Sequence, residues 1–412
     1  MIAINKLAIV FSGQGSQYAG MGKDLYDSYE SVKKVYDYAG EVLGFDIKKI
    51  CFEASMEELT NTKVAQLAIL ILGVSLYGVL EQEYKIQPII MAGHSLGEYT
   101  ALVCSGAISF EQALKLVQYR GEVMQEASEK TRGGMVAVSS MSVSDARTLL
   151  EQQKEQNVVI SNYNSDKQFV MSGEERGIQE ITRMLEQKGA RVTMLNVAGA
   201  FHSPLMKEAA DKFETRLSEC KLEQFRCTVL SNYSGKPYEN STYIKEKLTK
   251  QLYNSVRWVD CIHYIESLNP DCILEIGAKP VLTTFIHDTV KEMKIIFIGN
   301  QKTLKDFDEL QKSIASDNVW NRVIDRTILT AICTKNNNHD NSGYVELVVN
   351  PYNQMKQIQD DMVEDNNSAT EEDAKKCVDL LHTILSYKKV TEQEKRRRMS
   401  LILNGIQWDN YN

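Results

Sequence analysis

The sequence lacks the features that would assign it at once to several large classes of protein. It has no excess of positive charge, because 47 Lys and Arg residues oppose 55 Asp and Glu residues for a formal net charge of -8. This balance argues against nucleic acid or an anionic membrane as a partner. No segment reaches about 18 uninterrupted apolar residues, and the N-terminal stretch MIAINKLAIVFSGQGSQ has no small-residue cleavage site. We therefore expect a soluble protein.

Disulfide and repeat signals are also missing. The eight cysteines are scattered, with no CxxC pair, which favours reduced thiols in a cytoplasmic protein over a secreted disulfide scaffold. No internal repeat has the period of a solenoid. What remains is a chain of 412 residues, 43% hydrophobic and 25% charged, with the composition of an ordinary globular protein. Its length suits one large domain with insertions, or two to three domains.

Strand and helix patterns alternate in the first 133 residues. KLAIVFSG predicts a buried strand, residues 20–43 a helix, residues 64–82 an apolar helix, and PIIMAG a second strand. The alternation returns through CTVLSNYSG, DCILEIG and KIIFIG. We therefore assign residues 1–133 and 199–300 to one α/β core, a sheet covered by helices.

Between these two parts the pattern changes. MVAVSS, VVISNY, QFVMSG and RVTMLNV predict strands, and SVSDARTLLEQQ and residues 175–188 predict helices. The order is βαββαβ, which is that of a ferredoxin-like unit. Residues 134–198 are therefore predicted to form a small inserted subdomain.

The C-terminal residues 301–412 read as a linker and helical extension of unknown role. TKNNNHDNSG (334–343) and QDDMVEDNNSATEED (359–373) are too polar to bury much surface and predict linkers. AKKCVDLLHTILSYKK and VTEQEKRRRMSLILNGI have helical spacing and predict a helical pair. The basic run KRRR (395–398) is either a solvated helix face or a contact for an acidic carrier protein or synthase.

A candidate nucleophile lies in IIMAGHSLGEYTAL. Ser95 occupies the centre of a G-x-S-x-G pattern between a predicted strand and a helix over about 96–104, where a sharp turn exposes the hydroxyl. The helix N-terminus favours the anion that forms in acyl transfer. An ordinary turn serine between glycines remains an alternative explanation of this pattern alone.

A serine nucleophile needs a base, and the chain has six histidines. His202 lies at a strand-to-loop junction before Pro204, where its ring can face a cleft. The neighbouring side chain of His94 points away from that of Ser95, and we predict a structural role for it. The remaining four are predicted helix or C-terminal residues: His263, His287, His339 and His382. The glycine loop VFSGQGSQ is a poor dinucleotide site, because Tyr18 replaces the third glycine of G-x-G-x-x-G.

Six segments resemble, in order, the motifs of malonyl-CoA:acyl carrier protein transacylases: GQGSQYAGMG, AGHSLGEYTAL, YRGEVMQEA, AGAFHSPLM, QLYNSVRW and EIGAKPVL. The resemblance covers roughly residues 6–300. It implies a hydrolase-like α/β domain with a parallel sheet and a small ferredoxin-like insert, to which this chain adds its C-terminal extension.

The resemblance also implies roles for residues of the reaction centre. Ser95 corresponds to the acylated serine, His202 to the base, and Gln251 to the residue whose main-chain carbonyl orients that base. The backbone N-H groups of Gln14 and Leu96 correspond to the oxyanion hole. The family needs no metal and no bound cofactor: malonyl-CoA is the substrate, and the acceptor is the phosphopantetheine thiol of an acyl carrier protein.

Substrate recognition is implied at four further positions. Arg120, on pattern alone a solvated helix residue, corresponds to an arginine that forks onto the malonyl carboxylate. Phe201 matches residues that favour malonyl over methylmalonyl groups. Gln66 and Asn162 match positions lining the cleft, although Leu67 replaces the proline that usually follows the glutamine, and Asn162 is equally explained as a turn residue.

Three functions remain open from the sequence. The resemblance favours an acyltransferase of fatty-acid or polyketide biosynthesis, and the C-terminal extension favours a free-standing enzyme serving a polyketide synthase. An editing acyl hydrolase on the same fold would use the same serine, but it has little use for a carboxylate-binding arginine. A non-catalytic docking component of a synthase assembly is the third possibility, and it suits the extension better than the first 300 residues.

Overall fold

The computed structural model describes residues 6–152, 157–197, 199–316, 319–340, 342–364, 369–403, 406 and 408. The chain divides into two compact units, the first ending at Phe307 and the second beginning at Asp308. The first unit begins with β1 (Leu7–Phe11), α1 (Lys23–Ser28), α2 (Glu30–Leu43), α3 (Ile47–Glu53), α4 (Met56–Thr60), α5 (Thr62–Tyr84), β2 (Pro88–Gly93), α6 (Leu96–Cys104) and α7 (Phe110–Thr131).

Two further groups of elements complete this unit. The first group is β3 (Gly133–Ser139), α8 (Val143–Gln152), β4 (Val159–Ser165), β5 (Gln168–Glu174), α9 (Glu175–Gln187) and β6 (Arg191–Met194). After a 3₁₀ turn (Pro204–Met206), the second group is α10 (Lys207–Ser218), β7 (Thr228–Ser231), β8 (Lys236–Pro237), α11 (Tyr243–Tyr253), α12 (Trp258–Ser267), β9 (Cys272–Ile276), α13 (Val281–Thr289) and β10 (Ile295–Ile298). Helix α14 (Gln301–Ser316) follows and contains the boundary between the two units.

The larger sheet has the order β10-β9-β1-β2-β7-β8 among the described strands. All its neighbouring pairs are parallel except β7 with β8. Every residue of β1 is buried, as expected for a parallel sheet with helices on both faces. Phe11 at the end of β1 is in register with Gly93 of β2 and Ile276 of β9, so the loops after these three strands meet at one edge. The predicted hydrolase-like α/β core is confirmed.

The smaller sheet is antiparallel, with the order β4-β5-β3-β6. Two helices pack against it, and the chain order βαββαβ with this strand order is the ferredoxin-like arrangement that the sequence predicts. Backbone hydrogen bonds tie β4 to the segment before α12: the N-H of Tyr163 donates to the carbonyl of Val256 at 2.9 Å, and the Val256 N-H donates to the carbonyl of Ser161 at 2.8 Å.

Helix α5 explains the most apolar stretch of the chain. By length and composition it is the one helix among the described residues that could cross a membrane, yet 78% of its most apolar window is buried inside the protein. Its main neighbours are α2, α6 and α7. Packing within the core therefore accounts for its apolar character.

The helix predicted over residues 20–43 is interrupted. Tyr29 is extended, with φ -122° and ψ 120°, and separates α1 from α2. The short helices α3 and α4 were not predicted from the sequence. Each begins with a regular N-cap: the Asp46 side chain accepts from the Lys49 N-H, and Ser55 and Glu58 form a capping box. These capping residues were the local sequence signal for the two helices.

The second unit is helical in its described part. It contains α15 (Val319–Cys333), a π-helical turn (Val345–Val349) continuous with α16 (Asn350–Glu364), α17 (Glu371–Tyr387) and α18 (Glu392–Leu403). The two predicted C-terminal helices are confirmed as α17 and α18. The predicted linker over 359–373 is wrong for residues 359–364, which continue α16, because Tyr352, Met355 and Ile358 anchor that helix in the core of the unit. It is also wrong for residues 371–373, which form the first turn of α17 after the N-cap Thr370. Residues 365–368 lie outside the described residues.

Candidate active site

Ser95 lies on a tight bend between β2 and α6. Its backbone has φ 52° and ψ -99°, a strained conformation for a residue with a side chain. The flanking glycines are required by close approach, since a Cβ on Gly93 would lie 2.0 Å from the Gly97 carbonyl and one on Gly97 would lie 2.1 Å from the Phe11 oxygen. This is the geometry of a nucleophile elbow.

An imidazole from a distant part of the chain contacts the serine. Nε2 of His202 is 2.8 Å from Oγ of Ser95, although the two residues are 107 positions apart. Nδ1 of His202 is 2.7 Å from the main-chain oxygen of Gln251. Because a carbonyl oxygen only accepts, Nδ1 carries the proton and Nε2 is left to accept from the serine hydroxyl. The geometry therefore places a neutral base on Ser95, with a carbonyl in the position that a triad carboxylate would occupy.

His202 is buried, with 4% of the residue exposed. Burial, together with the nearby charge of Arg120, lowers the pKa of His202 from 6.5 to about 3. The imidazole is therefore neutral near pH 7, which is the form that can accept a proton.

This pKa predicts a change of stability with pH. Between pH 6.5 and about 3, His202 binds a proton in the unfolded chain but not in the folded one, so the free energy of unfolding falls as the pH is lowered. The variant His202→Gln is expected to lack this contribution. Its free energy of unfolding, measured by denaturant titration at several pH values, should therefore fall less steeply as the pH is lowered. His263→Gln, on the exposed surface of α12, is the control. Curves of the same slope for wild type and His202→Gln would contradict the prediction.

Arg120 is buried in α7 and aimed at the elbow. Its Nη2 donates to Oγ of Ser95 at 3.1 Å and to Oε1 of Gln251 at 3.3 Å, and its Nη1 donates to Oε1 of Gln66 at 2.6 Å. The guanidinium carbon lies 5.2 Å from the centre of the Tyr99 ring. Burial lowers the pKa of Arg120, but an arginine stays charged.

The guanidinium has unused binding capacity. Arg120 is 1% exposed, its Nε has no hydrogen-bond partner, and no carboxylate forms an ion pair with it in the described part of the chain. A buried cation without an anionic partner is costly, so a bound anion would stabilise this arrangement. Such an anion would lie next to Oγ of Ser95.

The loop after β1 lies against the elbow. The His94 N-H donates to the Phe11 carbonyl at 3.0 Å. A Cβ on Gly13 would lie 2.3 Å from the His94 oxygen. Gln14 follows on this loop, and Leu96 is the first residue of α6. The two backbone N-H groups assigned to the oxyanion hole therefore belong to two segments that meet beside Ser95.

The loop itself is held by a buried carboxylate. Oε1 of Glu275 accepts from Oγ of Ser12 at 2.8 Å and from the Leu282 N-H at 2.8 Å. Oε2 accepts from the N-H and Oγ1 of Thr283, at 2.6 and 2.7 Å. Glu275 thus caps α13 and ties the loop to that helix.

This site belongs to a chain whose sequence also matches a known family. The sequence model of the acyl transferase domain matches residues 8–317. The chain belongs to the acyl transferase family. A malonyl CoA-acyl carrier protein transacylase of Bacillus subtilis is 31% identical over 399 residues, covering 96% of this chain and 99% of the relative. That match extends through the C-terminal unit, so the extension is shared with this relative.

Solved structures agree with this family membership. A malonyl CoA-acyl carrier protein transacylase of Clostridium perfringens is similar with a TM-score of 0.72 and 33% identity, over 76% of this chain and all 100% of that one. A malonyl-transacylase solved in complex with its type II polyketide synthase acyl-carrier protein is similar with a TM-score of 0.71 and 34% identity, over 73% of this chain and 98% of that one.

Two other predicted residues of this acyl transferase contact groups outside the reaction centre. Phe201 precedes His202 and is buried in the main core. Asn162, on β4, accepts from Oγ of Ser161 at 2.8 Å and pairs with Val256. In the described structure neither side chain forms a hydrogen bond with Ser95, His202 or Arg120. His94 turns away from Ser95, as predicted: its Nε2 is 2.8 Å from Oδ1 of Asn164.

Three residues beneath the elbow were missed in the sequence. Oδ1 of Asn232 accepts from the Ser95 N-H at 2.6 Å, and Nδ2 of the same residue donates to the Gly93 carbonyl at 2.8 Å. Glu98 and Tyr238 form a hydrogen bond below them. Only Glu98 carried a signal, as an acidic residue one turn into an otherwise apolar helix. No group of three His, Cys, Asp or Glu side chains suited to a metal occurs among the described residues.

Proposed function

We propose that this chain transfers a malonyl group from malonyl-CoA, through an acyl-serine at Ser95, to the phosphopantetheine thiol of an acyl carrier protein of fatty-acid or polyketide biosynthesis. One observation carries the proposal: Oγ of Ser95 contacts both Nε2 of His202 and Nη2 of Arg120. A nucleophile, its base and a buried cation thus meet at one atom. The names of the relatives and of the carrier-protein complex support the same substrates.

Acylation of Ser95 begins with proton transfer. Nε2 of His202 accepts the hydroxyl proton while Oγ attacks the thioester carbonyl. The negative charge on the carbonyl oxygen is stabilised by the N-H groups of Gln14 and Leu96. When the tetrahedral intermediate collapses, the carbon-sulfur bond breaks, and the CoA thiolate takes the proton from His202. The second half reverses these steps: the carrier thiol gives its proton to His202 and attacks the acyl-serine. The bond between the acyl carbon and Oγ then breaks, and Oγ of Ser95 takes the proton back from His202.

Selection of the malonyl group is assigned to Arg120. The free carboxylate of a malonyl group supplies the anion that the guanidinium lacks, and two parallel N-H···O bonds match the planar fork. Gln66 and Gln251 hold the fork with neutral oxygens, so they orient the charge without neutralising it. An acetyl group offers no anion, and it would leave the buried cation unpaired.

Intact-protein mass spectrometry with a panel of acyl-CoAs tests this function. Incubation with malonyl-CoA is expected to add one malonyl group per chain, and the adduct is expected to be absent in Ser95→Ala. Acetyl-CoA should give far less adduct at the same concentration. Ser105→Ala, a buried serine at the other end of α6, is the control and should be labelled like wild type. Full malonyl labelling of Ser95→Ala would refute the proposal.

The lifetime of the acyl-enzyme separates transfer from hydrolysis. Without carrier protein, a transferase is expected to keep its malonyl group over many times the interval in which it transfers that group to holo carrier protein. An adduct that water removes as fast as the carrier thiol does would instead indicate the editing hydrolase.

A further inference from the structure

Glu98 is a buried carboxylate that the reaction itself does not use. It lies one turn into α6 after Ser95 and is 0% exposed. Its Oε1 accepts from the Tyr238 hydroxyl. Its Oε2 accepts from the Asn232 N-H at 3.0 Å and from Nε2 of Gln251 at 2.7 Å. No cation lies within ion-pair distance in the described residues, so three donors alone compensate for the desolvation of this group.

The first branch from Glu98 reaches the nucleophile. Asn232 donates its N-H to Glu98, while its side chain holds the Ser95 N-H and the Gly93 carbonyl. The side-chain amide of Asn232 therefore forms hydrogen bonds with the strained bend on both sides of His94. A shift of Asn232 would change the direction in which Oγ of Ser95 points.

The second branch reaches the base and the cation through Gln251. Its Nε2 donates to Glu98 and to the Ser95 carbonyl at 2.9 Å, while its Oε1 accepts from Nη2 of Arg120. The side-chain amide thus lies between the buried carboxyl group of Glu98 and the buried guanidinium of Arg120, with its oxygen toward the guanidinium. Only one orientation of the amide satisfies both groups. The main-chain oxygen of the same residue holds His202.

We propose that Glu98 is a positioning residue, which fixes Ser95, His202 and Arg120 relative to one another through Asn232 and Gln251. The inference rests on the proposed function for its consequence in acyl transfer, but the geometry that it describes concerns the reactivity of Ser95 with any electrophile. A misplacement of about 1 Å among reacting groups costs roughly 100-fold in rate, and this is the size of effect expected.

Glutamine, methionine and aspartate at position 98 separate position from charge and from folding. In Glu98→Gln the amide oxygen can face Asn232 and Gln251, and the amide nitrogen can donate to the Tyr238 oxygen, so all contacts are retained. Glu98→Met keeps the volume but removes the acceptor of all three donors, those of Tyr238, Asn232 and Gln251. Glu98→Asp keeps the carboxyl group and withdraws it by one methylene.

The rate at which a fluorophosphonate labels Ser95 is the measurement, since this reagent reports on the serine without needing a malonyl group. Per folded molecule, we expect labelling to fall about 100-fold in Glu98→Met and about 10-fold in Glu98→Asp, and to stay within a few-fold of wild type in Glu98→Gln. Tyr238→Phe removes one partner of Glu98 but leaves both branches intact. Tyr238→Phe should lower the thermal unfolding temperature without slowing labelling. If Glu98 only stabilised the fold, the labelling rate per folded molecule would be alike in all four variants.

The outcomes are distinct. Wild-type labelling rates in Glu98→Asp and in folded Glu98→Met would overturn the proposal, and Glu98→Asp decides alone if Glu98→Met does not fold. A Glu98→Gln variant as slow as Glu98→Met would also overturn it, because charge rather than position would then be required. If wild-type Ser95 reacts with the fluorophosphonate but not with malonyl-CoA, the proposed function fails while the test of Glu98 stands.

Discussion

Replacement of His202 by alanine is expected to slow the acylation of Ser95 by malonyl-CoA by about 10² to 10⁴-fold, the usual contribution of a general base. The reason is local: in the described structure Oγ of Ser95 has hydrogen bonds with His202 and Arg120, and of these two only His202 can accept its proton, because Arg120 only donates. Rapid mixing with labelled malonyl-CoA, quenched before carrier protein is added, measures this step directly.

The matched control for this variant is His263→Ala, which removes an exposed imidazole paired with Glu266 on α12. It should acylate at the wild-type rate. A His202→Ala enzyme that acylates within a few-fold of wild type would show that the contact between Nε2 and Oγ has no part in catalysis.

Replacement of Arg120 by alanine is expected to reduce the preference for malonyl-CoA over acetyl-CoA by two or more powers of ten. Hydrogen bonds to charged groups contribute about 1.5 to 3 kcal/mol each, and the guanidinium can form two with a carboxylate. Arg120 also donates to Ser95, so the ratio of the two acylation rates is the proper measure, since a general effect on the serine cancels in it.

Lysine at this position tests the fork itself. Arg120→Lys keeps a charge but offers no planar pair of donors, and we expect a preference between those of alanine and wild type. Arg147→Ala, which removes an exposed arginine from α8, serves as the control. An unchanged ratio in Arg120→Ala would remove the assigned role.

The sequence predicts best where the signal is local. The bounds of α6 and the bend at Ser95 follow from the two glycines and the apolar strand before them, and the βαββαβ order of the insert follows from its alternation of periods. The break at Tyr29 left no such trace, and neither did α16, whose apolar anchors precede an acidic, Asn-rich stretch.

Local sequence patterns do not predict which distant segments contact one another. Nothing near His202 in sequence points to Ser95, and only the resemblance to the transacylase motifs paired them. Asn232 belongs to no recognised motif, and its hydrogen bonds with the bend at Ser95 depend on β7 lying beside β2 in the sheet. Glu98 stands inside a motif, yet its partners come from segments more than 130 positions away. Tertiary structure alone brings these groups together.

The anchoring of the loop after β1 by Glu275 has a consequence for biosynthesis. A ribosome that has made residues 1–260 has already delivered Ser95, Arg120, His202 and Gln251. The carboxylate that secures the Gln14 segment, and α13 behind it, emerge only afterwards. A nascent or prematurely terminated polypeptide would therefore contain the reactive hydroxyl of Ser95, but the loop that carries the Gln14 N-H would not yet be held in place. Completion of the first unit, rather than assembly of the nucleophile, would be the moment at which the enzyme becomes competent.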